Sequence, residues 1–177
     1  MEKTLRRLAI NYGLYTGLIL AAATIIGYTI NLELLTKFWL GILLFLVILI
    51  LGIVSVAKVK SLLKGFVSFK QAFTTWFLTI VVGVLISTIV NVVLFNFIDP
   101  EAAEIIKQAG IDTSISMMES FGAPQEAIDE AVKKMEAEDN MFSIGRLLKS
   151  LVWQFLFYAI IGLIVAAIMK KKDPDAA

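Results

Sequence analysis

Four long runs of apolar residues alternate along the chain with shorter polar segments. The runs cover about residues 8–30, 38–57, 72–98 and 147–169, and no Asp, Glu, Lys or Arg lies near the middle of any of them. A helix needs roughly 20 such residues to cross the hydrocarbon core of a bilayer. The pattern predicts an all-α fold, a bundle of four transmembrane helices that forms a single membrane domain over residues 1–177.

The polar segment at residues 99–142 separates the third and fourth spans and carries most of the acidic residues of the chain. Asp99 followed by Pro100 is typical of a helix N-cap with proline at the first helical position. Glycine and proline then divide the segment, and two or three short helices are expected, with breaks at Gly110, Gly122 and Pro124. We therefore predict a helical insert that caps the bundle.

Local signals also mark the ends of two spans. Gly65 is expected to end the second helix, and Ser68 with Gln71 has the S-x-x-Q spacing of a capping box at the start of the third. At the first span, Ala21 and the alanines after it offer a signal-peptide cleavage pattern. The apolar run continues to Ile30, however, and this favours a transmembrane helix.

Basic residues collect at three places, which an even number of crossings puts on one side of the membrane. One cluster, with Arg6 and Arg7, precedes the first span. The other two follow the second and fourth spans and comprise Lys58, Lys60, Lys64, Lys70, Lys170, Lys171 and Lys172. Because Lys and Arg are enriched in short cytoplasmic loops, both termini are expected to face the cytoplasm, and residues 99–142 to lie outside it. The lysines are expected to meet lipid headgroups. A docking or nucleic-acid patch is disfavoured, because insertion requires such a cluster here anyway, and no nucleic-acid partner is predicted.

Small and hydrogen-bonding residues recur at every fourth position in three of the spans, which is the pattern of helix contacts in lipid. The helix-packing candidates are Gly13, Gly17, Ala21, Thr79, Gly83, Ser87, Asn91, Gln154, Tyr158 and Gly162. Close contacts are therefore expected among the first, third and fourth spans, with the second span the most exposed to lipid. A second interpretation makes these polar positions, together with Tyr12, Tyr15 and Thr16, the lining of a small solute pathway.

Composition excludes several classes of chemistry. Hydrophobic residues make up 59% of the 177 residues, and the chain has neither cysteine nor histidine. Disulfides, thiol chemistry, imidazole metal sites and nucleophile–histidine dyads are therefore excluded. The acidic run from Glu136 to Asn140 lacks the spacing of a calcium loop. No catalytic residue, metal site or cofactor is predicted, and we do not expect an enzyme.

The order of these features resembles a family of small bacterial inner-membrane proteins catalogued as a domain of unknown function. The resemblance is carried by "LAINYGLYTGLIL" in the first span and by "GFVSFKQAF" at the entry to the third. It is also carried by "FIDPE" at the exit of the third span and by "MKKK" after the fourth. It implies four transmembrane helices in the bacterial inner membrane and no established activity, so that it supplies no functional residues.

Three functional hypotheses follow. The first is a non-enzymatic structural or accessory membrane component that acts through helix association, in a homo-oligomer or with another membrane protein, and otherwise contacts membrane lipids. The second is a transporter, channel or channel subunit for a small neutral solute. The third is an envelope sensor that uses its acidic extracytoplasmic cap.

Overall fold

The computed structural model describes residues 2–137 and 141–171. Six α-helices occur in these residues: α1 (Glu2–Ile30), α2 (Phe38–Leu62), α3 (Phe69–Val92), α4 (Pro100–Ser120), α5 (Gln125–Ala137) and α6 (Ile144–Met169). A 3-10 helix, Leu32–Thr36, joins α1 to α2, and a π-helical segment, Val93–Ile98, ends α3. No strand occurs in the described residues, and the predicted all-α fold class is confirmed.

Four of the helices are long and apolar enough to cross a bilayer: α1, α2, α6, and α3 continued through its π segment. The third begins at Phe69 because the predicted capping box forms there. The Ser68 hydroxyl accepts from the Gln71 N–H at 3.2 Å, and the Gln71 side chain accepts from the Ser68 N–H at 2.9 Å. Helix α2 runs past its expected end to Leu62, so Lys58 and Lys60 lie on its last turns.

Helix α3 is the centre of the bundle and packs against α1, α2 and α6. Helices α1 and α6 lie on different sides of α3, and the described residues show no extensive contact between them. The second span has the lowest buried share, as expected, but it shares that value with the fourth: 22% of the most apolar stretch is buried in both α2 and α6, against 39% in α1 and 28% in α3. Gly52 and Ser55 are small enough to let α3 approach α2 closely.

The two ends of the bundle differ in character. At the lysine end, defined by the start of α1, the 63–68 turn and the end of α6, two backbone hydrogen bonds of 3.0 and 2.9 Å join Val67 to Lys171. Lys64 and Gly65 have φ values of +56° and +91°, which explains why glycine follows α2. The opposite end, the cap end, carries the 3-10 helix, α4 and α5.

The cap consists of two helices, because Gly110 does not end the first of them. Helix α4 runs unbroken from Pro100 to Ser120 and stops beside Gly122, whose φ is +72°. A glycine inside a helix costs only about 1 kcal/mol relative to alanine. Burial of Ala102, Ala103, Ile106 and Ile111 outweighs that cost. The prediction of a helix break at Gly110 is therefore wrong.

Candidate functional site

A buried group of hydrogen bonds lies where α1, α2 and α3 meet. The Thr79 hydroxyl shares a 2.8 Å hydrogen bond with the Ser55 hydroxyl. It also lies 3.1 Å from the Ala9 carbonyl oxygen of α1 and 2.9 Å from the Thr75 carbonyl oxygen of its own helix. Ser55 and Thr79 are both fully buried. Thr79 therefore ties three helices together, and its hydroxyl does not face a solute path.

The candidate glycines of α1 and α3 bring these two helices into direct contact. A Cβ added at Gly13 would lie 2.6 Å from the Val82 Cβ, and one at Gly17 would lie 2.7 Å from the Ile86 Cβ. A Cβ added at Gly83 would lie 2.8 Å from atoms of Thr16. These distances are too short for real Cβ contacts, so glycine is required at all three positions. Ala21, one step further along α1, is also buried.

Trp76 is the second junction, and it joins α3 to both α2 and α6. Its side chain is fully buried, and its indole N–H donates to the Tyr158 carbonyl oxygen at 3.1 Å. Gly52 of α2 and Gly162 of α6 both lie directly against the indole ring. Phe45 stacks on the Tyr158 ring with centroids 6.2 Å apart. Trp76 therefore fills the space that two glycines leave open.

The remaining packing candidates lie away from these two junctions. Gln154 is half-buried one turn before Tyr158. Ser87 and Asn91 are half-buried near the cap end, where the Asn91 amide donates to the Ser87 carbonyl oxygen at 2.8 Å. Tyr15 is 55% exposed on the outer side of α1. The polar residues considered for a solute pathway therefore do not converge on one lining.

Ser87 and Asn91 border a cavity of about 490 Å³ beneath α4, which we term the cap cavity. Its lining is rich in hydroxyl groups, from Thr24, Thr36, Thr113 and Ser114, and is completed by apolar side chains such as Ile106 and Phe142. The Thr113 and Ser114 hydroxyls donate to carbonyl oxygens one turn earlier, both at 2.8 Å. Their oxygens keep lone pairs that can accept hydrogen bonds.

The cap is fastened to the bundle by polar side chains at the end of the third span. Asp99 accepts from the Ala102 N–H at 3.0 Å, as its predicted N-cap role requires, and from the Tyr28 hydroxyl of α1 at 2.9 Å. The Asn96 side chain donates to the Phe142 carbonyl oxygen at 2.8 Å. A second apolar cluster around the fully buried Phe95 lies under α4. The cap is thus positioned by both ends of the 99–142 segment.

The predicted lysines gather at the lysine end. Lys58, Lys64, Lys70 and Lys170 are exposed there, whereas Lys172 lies outside the described residues. The Lys60 ammonium donates to the Met169 carbonyl oxygen at 2.9 Å and so helps to hold α6. The Lys171 ammonium lies 5.4 Å from the centre of the Phe66 ring. Two of the lysines are therefore engaged in packing within the chain.

The acidic run considered for metal binding falls largely outside the described residues, because Glu138, Asp139 and Asn140 are not among them. Within residues 2–137 and 141–171, no three Asp or Glu side chains come together as a metal-binding group. The ion pairs Lys107–Glu104 and Lys134–Glu130 in the cap each join neighbours on one helix.

Sequence reasoning missed Trp76, Gly52, Ser55 and Thr16 as contact residues. Trp76 carries no periodic small-residue signal, and α2 offers only isolated small residues in a run of Leu, Ile and Val. The one available signal was that Gly52 and Ser55 lie three positions apart on the same face of α2.

The four apolar helices define a multi-pass membrane protein. Residues 11–171 match the family described as a protein of unknown function, DUF4199, and the chain belongs to that family. No curated protein and no solved structure matches the chain.

Proposed function

We propose that the protein is a non-enzymatic accessory component of the bacterial inner membrane that acts by helix association. The association surface is the outer face of α1, and its partner is a second copy of the same chain. The small-residue faces do not serve this purpose, because Gly13, Gly17, Gly83 and Gly162 are already occupied by contacts within the chain.

One observation carries the proposal: α1 presents two polar side chains to the outside of the bundle. Asn11 is exposed and Tyr15 is 55% exposed, whereas Gly13 and Thr16 are buried on the side that faces α3. Asn11 and Tyr15 are four residues apart and therefore adjacent on one face. Polar side chains on spanning helices stabilise helix contacts by hydrogen bonding across them, typically by about 0.6–2 kcal/mol each.

Self-association fits the chemistry of this pair. In a two-fold dimer the same residues of both copies meet near the axis. An asparagine side chain both donates and accepts, and so does a tyrosine hydroxyl, so each can pair with its own copy. Two copies inserted in the same orientation bring their α1 helices together in parallel, which allows both pairs to form at once.

The test is site-specific photo-cross-linking in intact cells. A photoreactive residue at position 15 should give an adduct of twice the monomer mass, and the adduct should be lost in the Asn11→Leu variant. The control is the same residue at position 160, since Ile160 is similarly exposed on α6. If the position-15 adduct contained a different protein, the partner of α1 would be that protein and not a second copy of this chain. Equal adducts at positions 15 and 160, or none at position 15, would refute an association surface on α1.

The orientation forms part of the proposal, with both termini in the cytoplasm. It is supported by the concentration of Lys and Arg at the lysine end. Arg146 and Lys149 at the start of α6 are the basic residues that lie toward the cap end of that helix. These two residues are fewer than the lysines of the lysine end. The excess of basic residues therefore still favours a cytoplasmic position for the lysine end.

A second candidate function is binding of a small neutral solute in the cap cavity. The hydroxyl groups of Thr24, Thr113 and Ser114 favour it, because such groups recognise uncharged polar molecules. Binding is favoured over conduction, since Trp76 and Ile80 are fully buried in the middle of the bundle. Polyols added to the purified protein would test it. A raised melting temperature in wild type that is absent in Thr24→Val is the expected result.

A further inference from the structure

A groove of about 620 Å³ lies between the first turns of α1 and the start of α3. Lys3, Arg6 and Lys70 line the groove at the lysine end, and all three are exposed. The described residues that line it include no Asp or Glu. Its mouth is therefore positively charged.

Deeper in the groove the lining is apolar. Phe73 and Phe77 contribute nearly parallel rings with centroids 5.7 Å apart, followed by Leu78 and Val81. The helix rises about 16 Å from Lys70 to Val81. That distance is close to half of the ~30 Å hydrocarbon core, or one leaflet. The groove is therefore long enough to reach from headgroup level to the middle of a bilayer.

We propose that this groove is a binding site for one anionic phospholipid of the leaflet at the lysine end. The phosphate and headgroup meet Lys3, Arg6 and Lys70, where the arginine fork matches two phosphate oxygens. An acyl chain lies along Phe73, Phe77 and Val81.

Two independent features select this occupant. The basic mouth complements a negative headgroup and gives no preference to a zwitterionic one. An acyl chain is long enough to fill the apolar part of the groove, whereas a soluble phosphate would leave that part empty. The groove opens because α1 and α6 flank α3 without meeting. The proposal does not depend on the outer face of α1, since Asn11 and Tyr15 are absent from the lining.

The experiment measures thermal unfolding of the full-length protein in neutral detergent, with phosphatidylglycerol or phosphatidylcholine added over a concentration series. Wild type is compared with two double variants that remove the same charge. The groove variant is Arg6→Gln with Lys70→Gln. The matched control is Arg7→Gln with Lys58→Gln, because Arg7 and Lys58 are exposed but do not line the groove.

We expect phosphatidylglycerol to raise the melting temperature of wild type and of the control variant, and phosphatidylcholine to do so much less. The groove variant should bind phosphatidylglycerol about thirtyfold more weakly, the effect of two headgroup contacts of ordinary strength. Equal weakening in both double variants would overturn the proposal, since it would show attraction by overall charge alone. Equal shifts with the two lipids would also overturn it.

Two further arms test the acyl-chain part. Glycerol 3-phosphate carries the charge without the chain and should produce no shift; a shift equal to that of the lipid would refute a lipid site. Leu78→Trp keeps every charge and fills the groove. It should lower the number of phosphatidylglycerol molecules retained in native mass spectrometry by one. Unchanged retention in a folded Leu78→Trp protein would place the lipid elsewhere.

Discussion

Alanine at position 52 should force α2 away from α3, and a smaller residue at position 76 should reverse the effect. The new methyl carbon would lie 2.6 Å from Cζ3 and 2.7 Å from Cε3 of the Trp76 ring. The shorter distance falls about 0.8 Å below the 3.4 Å at which ordinary contact begins. The indole is fully buried and held by its hydrogen bond to Tyr158, so it has little room to move.

The expected magnitudes follow from overpacking and cavity formation. Gly52→Ala should lower the free energy of unfolding by about 1–3 kcal/mol, as extra methyl groups in packed interiors do. Trp76→Leu removes the ring atoms that clash and should by itself cost about 2–4 kcal/mol through the cavity it leaves. In the double variant the methyl enters that cavity. The double variant should therefore be more stable than additivity predicts by about 1–3 kcal/mol.

The assay is reversible unfolding in mixed micelles titrated with SDS and followed by far-UV circular dichroism, which does not depend on Trp76 fluorescence. Gly41→Ala is the matched control, since it makes the same change on the same helix with nothing within 4 Å of the new methyl. It should be neutral or slightly stabilising. The reasoning is refuted if the two alanine variants shift equally, or if the two effects at positions 52 and 76 simply add.

Three other predictions test separate parts of the structure. Thr79→Val should lower the free energy of unfolding by about 1–2 kcal/mol in the same assay, because the buried Ser55 hydroxyl loses its hydrogen bond to Thr79. An unchanged unfolding midpoint would contradict the role of Thr79 in joining three helices. Tyr28→Phe should loosen the cap, seen as faster hydrogen exchange in α4 with the spanning helices unaffected; unaltered exchange would show that the bond to Asp99 is dispensable. Single cysteines at positions 64 and 125 should be labelled by an impermeant maleimide from opposite sides of the membrane, and the chain has no native cysteine to interfere. Labelling of both positions from the same side would refute the four-span topology.

Local features were the part of the fold that the sequence predicted well. The Ser68–Gln71 capping box and the Asp99 N-cap each involve residues within three positions of one another, so their spacing contains all the necessary information. The positions of the spans follow from length and hydropathy alone. These signals do not depend on which helices become neighbours.

The wrong and missing predictions share one physical cause. Each depends on contacts between segments that are far apart in the sequence. Gly110 was expected to end a helix, yet burial of the neighbouring α4 residues against the bundle outweighs the cost of one glycine. Trp76 could not be recognised as a junction, because its importance depends on Gly52 and Gly162 arriving from two other helices. The cap cavity likewise needs α1, α3 and α4 in place before its hydroxyl groups share a space.

The hydrogen bonds around Thr79 have a consequence for biosynthesis. Their three helices are all contained in the first 92 residues, so this junction can close while the rest of the chain is still on the ribosome. Helix α6 emerges last. Its Tyr158 carbonyl oxygen then accepts a hydrogen bond from the Trp76 indole N–H, which is already in place. A nascent chain arrested within the cap would therefore hold a formed three-helix unit. On such an intermediate the Trp76 indole is the docking point for α6.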